Sequence, residues 1–196
     1  MPPLTQALLI ANVAMFFLMQ VAPPALIGGL ALWPLDSGLF MPWQVVTYAF
    51  LHGGLTHLAF NMFGLWMFGA ELERVWGSRR LAAFYTVSVL VAAAAQLVVT
   101  AVLGSHAPTV GASGGLFGLL IGFAMIFPRR TITPLFPPIP MPAWLFVALY
   151  GFIELSLGVT GSASGVAHFA HLGGLLGGWL VIQYWRGRAP FGRRLR

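Results

Sequence analysis

Ser113, framed as Gly111-Ala112-Ser113-Gly114, is the residue of this 196-residue chain best suited to nucleophilic chemistry. A serine hydroxyl attacks poorly until a base within hydrogen-bond reach takes its proton, and imidazole suits that task. The histidines and amides that could serve it come in pairs. His57 and Asn61 are four apart, and His168 and His171 three apart, so each pair shares one helical face. The developing oxyanion would need donors, which His57, Asn61 and the backbone N–H of Ser113 can supply. A glycine-framed turn that opens a helix also presents free N–H groups toward negative charge. The opposing reading is a packing turn, because small residues around a serine also let helices approach closely. Which reading holds depends on the elements that carry these side chains.

Those elements are membrane helices. The chain is 59% hydrophobic and 7% charged, too few charges to solvate a globular surface of this size. Cysteine is absent, which excludes disulfide frameworks and thiolate metal sites. A span needs ~20 mostly apolar residues, and the sequence offers six stretches: 4–21, 54–72, 81–103, 113–127, 143–157 and 166–185. The first lacks a basic lead and a cleavage site and reads as an anchor, with Asn12 bonding to a neighbouring helix. Residues 25–51 form a long apolar outer connection in which Trp33 and Trp43 sit at the interface. Residues 128–142 form a proline-rich inner loop expected to be extended. The expected fold is all-α, a polytopic membrane bundle of six transmembrane helices. It forms one domain over residues 1–185, followed by a basic tail, 186–196.

The net charge of +6 comes from ten arginines and four acids, with no lysine. Arg74, Arg79 and Arg80, then Arg129 and Arg130, then the tail arginines Arg186, Arg188, Arg193, Arg194 and Arg196 all follow even-numbered spans. Basic residues near span ends are retained in the cytoplasm, so all ten agree with one orientation, both termini inside. Such a distribution speaks for lipid contact and against nucleic acid. Spans two, four and six then run inward from the outer face. At ~1.5 Å rise per residue, Asn61, Ser113 and His171 lie within ~10 Å of one another in depth. Span four carries Gly114-x3-Gly118-x3-Gly122 and span six Ala170-x3-Gly174-x3-Gly178, small-residue ridges that permit close approach. No carboxylate is evident as a third member. Asp36 is in the outer loop, Glu71 and Glu73 are at the inner end, and Glu154 in span five is expected to pair with some neighbouring helix. A Ser–His dyad is the economical proposal.

These residues resemble the rhomboid intramembrane serine proteases over most of the chain. The resemblance rests on Gly-Ala-Ser-Gly at 111–114, Ala-His-Leu-Gly-Gly at 170–174 with Gly178 beyond, and His52-x4-His57-x3-Asn61. Glu73 and the Trp76-Gly77-Ser78 turn follow in the same order. It implies Ser113 as nucleophile, His171 as general base, and His57 and Asn61 beside the oxyanion. His52 matches a structural position that holds the first outer loop. His168 matches no catalytic position and is expected to support the site or contact water. Gly111, Gly114, Gly174 and Gly178 are expected to allow close packing, and His106 to be an exposed loop residue. Phe117 stands where some relatives carry tyrosine, and is expected to pack on the histidine. Trp43-Gln44 stands where many carry Trp-Arg.

The resemblance implies cleavage of single-span membrane proteins near the outer boundary, through an acyl-enzyme. Water would enter by a cavity lined by His52, His57 and His168. The outer end of span five and loop 158–165 resemble the family's substrate gate and cap. Phe152 is suited to gating, whereas Trp144 and Phe146 are expected to face lipid. No cofactor or metal is expected: a site made of His52, His57, His168 and His171 would lack the His-Glu-x-x-His helix of hydrolytic zinc. The competing readings are a non-catalytic rhomboid-like binder, whose kind usually lacks the serine or the histidine, and a transporter using Glu154. The expected location is the bacterial inner membrane, since no transit segment is seen before span one. The oligomeric state is not legible.

Overall fold

In the computed structural model, residues 1–135, 137–161 and 167–187 are described. Among the described residues there are nine α-helical segments: α1 Pro3–Val21, α2 Pro24–Gly28, α3 Gln44–Thr47, α4 Leu55–Gly64, α5 Ala70–Trp76, α6 Ser78–Leu103, α7 Ser113–Ile126, α8 Ala143–Thr160 and α9 His168–Trp185. A 3-10 turn, Tyr48–Phe50, extends α3, and a π-helical turn, Leu65–Gly69, joins α4 to α5 in one rod. Of these, α1, α6 and α8 are long and apolar enough to cross a bilayer by length and composition. The remaining long rods are α4–α5, α7, which is shorter and apolar, and α9.

The rods gather around α7. Nine of its 14 residues are buried, and no charged residue interrupts it, as expected of a helix apolar on every face. Its chief neighbours are α9 and α6, which also pack on each other. Glycine sets these crossings. A Cβ at Gly174 would overlap the carbonyl oxygen of Gly114, and one at Gly178 would come within 2.9 Å of the Gly118 carbonyl. On the other side of α9, a Cβ at Gly173 would meet Ala95 Cβ at 2.6 Å. Small residues on two faces thus let α9 lie against α6 and α7 together.

Glu73 ties the start of the chain to the bundle. Its carboxylate accepts from the backbone N–H of Leu4 (2.8 Å) and Thr5 (2.7 Å), Thr5 Oγ1 (2.7 Å) and Ser78 Oγ (2.5 Å). It thereby caps α1 from another helix, where no local side chain does so. Burial pulls its carboxyl upward in pKa, but the hydrogen bonds from Ser78, Thr5 and Leu4 outweigh it and hold the group below its ordinary value. Gly77 makes the turn at φ +76°, and Trp76 packs between Phe84 (4.9 Å) and Trp185 (5.2 Å). At this same end Glu71 pairs with Arg74 and Arg130, and Arg186 donates to the Met125 carbonyl. Ser113 is at the opposite end of α7.

Several details differ from the sequence expectations. The inner loop is not wholly extended, because Thr131–Ile132 and Met141–Pro142 pair as a short antiparallel ladder. Asn12 donates to the Leu8 carbonyl of its own helix (2.8 Å) rather than to a neighbour, a bond available four residues back. Phe146 is buried against Tyr150 instead of facing lipid, while Trp144 and Phe152 are exposed. Part of loop 158–165 and the tail from Arg188 onward lie outside the described residues.

Candidate active site

The turn before α7 is built so that only glycine fits at its head. Gly111 has φ +131°, and a Cβ there would come within 2.8 Å of His57 Nε2. Its N–H donates to the Tyr48 carbonyl (2.9 Å), while Tyr48 Oη donates to the Val89 carbonyl (2.9 Å). One residue pair upstream, Thr109 and Leu32 exchange backbone hydrogen bonds of 3.0 and 2.9 Å, so the outer connection clamps the approach to Ser113. Gln44 braces that connection. Wholly buried, it donates to the carbonyls of Leu39 (3.0 Å) and Gly29 (3.3 Å) and accepts from the Trp33 N–H (3.2 Å). A neutral amide therefore bridges the loop at the Trp43-Gln44 position without bringing a charge into it.

Ser113 is the first residue of α7, and the first intrahelical bond there runs from Leu116 N to Ala112 O. The N–H groups of Ser113, Gly114 and Gly115 thus have no acceptor within the helix and face its N-terminal end. Ser113 Oγ lies 2.7 Å from His171 Nε2. Phe117, one turn on, stacks on the His171 ring with centroids 4.4 Å apart and planes 5° from parallel. Stacking fixes the plane of the imidazole but not its rotation within that plane.

A carboxylate supplies the second constraint. Glu154 Oε2 on α8 lies 2.9 Å from His171 Nδ1 and 2.7 Å from His168 Nδ1. All three residues are buried. From sequence Glu154 has no specific partner and the expected dyad no acid; the structure brings a carboxylate to the side of the His171 ring away from Ser113. The signal was present in the spacing. Gly151, Glu154 and Gly158 share a face of α8, and a Cβ at Gly158 would come 3.2 Å from His168 Cβ. Two glycines flanking a lone acid mark a face that closely approaches another helix.

His57 and Asn61 line a cavity of ≈ 520 Å³ with Ser113, Phe117 and His171. Asn61 Nδ2 donates to the His57 carbonyl (2.9 Å), which leaves the amide one further N–H. His52 and His168 are buried and do not line this cavity, unlike the wall expected from sequence. His52 packs edge-on against His57 at 5.0 Å, and His106 is exposed. Glu154, His168 and His171 each offer a ligand atom within 4.8 Å of the others, a carboxylate–imidazole set of the kind that zinc accepts. The Nδ1 atoms of both histidines already hydrogen-bond to Glu154 Oε2. The histidines weighed from sequence as a metal set instead divide, His52 with His57 and His168 with His171.

A half-buried serine, an imidazole and a carboxylate thus stand in one row beside a cavity, the kinds of group and spacing that nucleophilic catalysis needs. The Rhomboid domain pattern matches residues 40–188. The chain is 29% identical over 193 residues to the rhomboid protease GlpG of Photorhabdus laumondii, covering 96% of this chain and 63% of that protein. It is 30% identical over 139 residues to the rhomboid protease GluP of Bacillus subtilis (71% and 25%). It is also 32% identical over 156 residues to the mitochondrial rhomboid protein 1 of Saccharomyces cerevisiae (71% and 42%). The chain belongs to the rhomboid family, and with its apolar helices it is an integral membrane protein. It spans about a quarter to under two thirds of the length of these relatives.

Proposed function

We propose that this chain is an intramembrane serine endopeptidase. The observation that carries this reading is the 2.7 Å approach of Ser113 Oγ to His171 Nε2 at a cavity also lined by His57 and Asn61. In the reaction, Ser113 Oγ attacks the scissile carbonyl carbon and its proton passes to His171 Nε2. The oxyanion is met by donors from the Ser113 N–H, Asn61 and His57. His171 then returns the proton to the departing amine as the C–N bond breaks, leaving an acyl-enzyme. Water repeats the sequence and frees the carboxyl product.

Helix length supports chemistry below the membrane surface. The 14 residues of α7 span only about 21 Å, against a hydrocarbon core of about 30 Å. With the arginine-bearing end at the inner boundary, Ser113 lies several ångströms beneath the outer one. The proposed topology is six spans with both termini cytoplasmic, in a bacterial inner membrane. The substrates are single-span proteins cut near the outer boundary. A helical peptide bond must unwind before a serine reaches it, so locally weak helices are favoured. Purified protein in detergent is expected to cleave a single-span reporter, and Ser113→Ala or His171→Ala to abolish cleavage while folding normally. Undiminished cleavage by Ser113→Ala would overturn the assignment.

A further inference from the structure

We propose that Glu154 is a positioning residue for His171, so that the site works as a Ser113–His171–Glu154 row rather than a dyad. This rests on the protease reading above. An ionised carboxylate only accepts hydrogen bonds, so the nitrogens that Glu154 Oε2 meets at 2.9 and 2.7 Å both carry their protons on Nδ1. For His171 that assignment decides the chemistry. With the proton on Nδ1, Nε2 holds the lone pair, and Nε2 is the atom 2.7 Å from Ser113 Oγ. The other tautomer would point an N–H at the serine and could not take its proton. Phe117 holds the plane of the ring, and Glu154 sets its rotation and tautomer.

The carboxylate also faces the charge that appears during the reaction. When Ser113 Oγ bonds to the substrate carbonyl carbon, its proton moves to His171 Nε2 and the ring becomes cationic. The Nδ1 proton stays in place, and Glu154 takes none; it stabilises the cation until Nε2 protonates the leaving amine. His168 has a separate part. Its Nδ1–H gives the carboxylate a second donor, which keeps a buried charge satisfied when His171 is neutral. The fold brings Glu154 there deliberately in the geometric sense: Gly151 and Gly158 lie three residues before and four after it on the same face of α8. The nearest neighbours of a Cβ at these glycines would be Leu175 (3.4 Å) and Phe169 (3.0 Å) of α9. Side chains at either glycine would hold α8 off and leave Glu154 short of both rings.

The test combines kinetics with a readout of the tautomer. Nitrogen-15 NMR of histidine-labelled protein in detergent is expected to show His171 as the Nδ1–H form. Finding it as the Nε2–H form in the unmutated protein would overturn the proposal without any variant. Glu154→Gln keeps the shape and an acceptor oxygen but removes the charge; kcat is expected to drop about tenfold or more, with KM little changed. Glu154→Leu removes the acceptor as well; kcat is expected to drop about 10³-fold or more, with His171 losing its Nδ1–H preference. His168→Ala leaves the Glu154–His171 bond in place and is expected to retain the tautomer. Glu154→Gln at full kcat, or Glu154→Leu with an unchanged His171 tautomer, would overturn it. Failure of the protease reading looks different: the unmutated protein would be inert, while the tautomer measurement would still report on Glu154.

Discussion

Gly174→Ala should disable the site from outside the chemistry. A methyl there overlaps the Gly114 carbonyl oxygen. Because C···O contacts settle near 3.3 Å or beyond, α9 must retreat from α7 by on the order of 1 Å. That crossing carries the Ser113 Oγ–His171 Nε2 bond, since Gly114 adjoins Ser113 and Gly174 follows His171 by three residues. The bond is 2.7 Å, and about 1 Å more takes it past useful length. A misplacement of that size costs about 10²-fold in rate. Overpacking itself costs about 1–3 kcal/mol, so the variant should still fold. Gly178→Ala provides the comparison. Its methyl would meet Ile121 Cγ2 at 2.8 Å and the Gly118 carbonyl at 2.9 Å, a lesser overlap one turn farther on, so the loss should be smaller. The assay is cleavage of a single-span reporter, with unfolding followed in the same detergent. If Gly174→Ala cleaves within about threefold of the unmutated protein, the argument that this crossing sets the Ser–His distance is wrong.

Three further outcomes follow from other contacts. Phe117→Leu removes the stack on His171 and should lower kcat about 3- to 10-fold with little change in stability, as loss of an aromatic pair implies; an unchanged kcat would show that stacking does not hold the ring. Glu73→Gln leaves donors of α1 and Ser78 with a weaker acceptor and should destabilise the protein by about 2–4 kcal/mol, read as a lower Tm. Because the folded carboxyl lies below its ordinary value of 4.5, its contribution should be complete above that pH and disappear as pH falls through the depressed folded value. The Glu73→Gln penalty should therefore shrink in acid, and a constant penalty would contradict this account. For the proposed topology, a reporter fused after Arg196 should read cytoplasmic, and a periplasmic signal would reverse the orientation.

The parts of this molecule that follow short-range rules were legible in its sequence. Apolar run length marks the helical rods, though their ends differ by a few residues. The ridges of Gly114, Gly118, Gly174 and Gly178 announce a close crossing because small residues repeated every four positions line one helix face and leave room for a neighbouring backbone. The partner of Glu154 was not legible, since a helix face says that an acid approaches something and not what. Only the turn of α8 against α9 makes that choice. Glu73 is similar: its position at the end of a rod was visible, but three of its four donors come from Leu4 and Thr5 at the far end of the chain, which only folding brings to it. Phe146 shows the opposite failure, because hydropathy cannot tell lipid-facing from buried where both surroundings are apolar.

Covalent labelling with a fluorophosphonate tests the central claim most directly, because it reports an activated serine without a substrate. Mass spectrometry should place the label on Ser113 alone, and His171→Ala should abolish it in protein that remains folded. Label on another serine, or undiminished label at Ser113 without His171, would contradict the account.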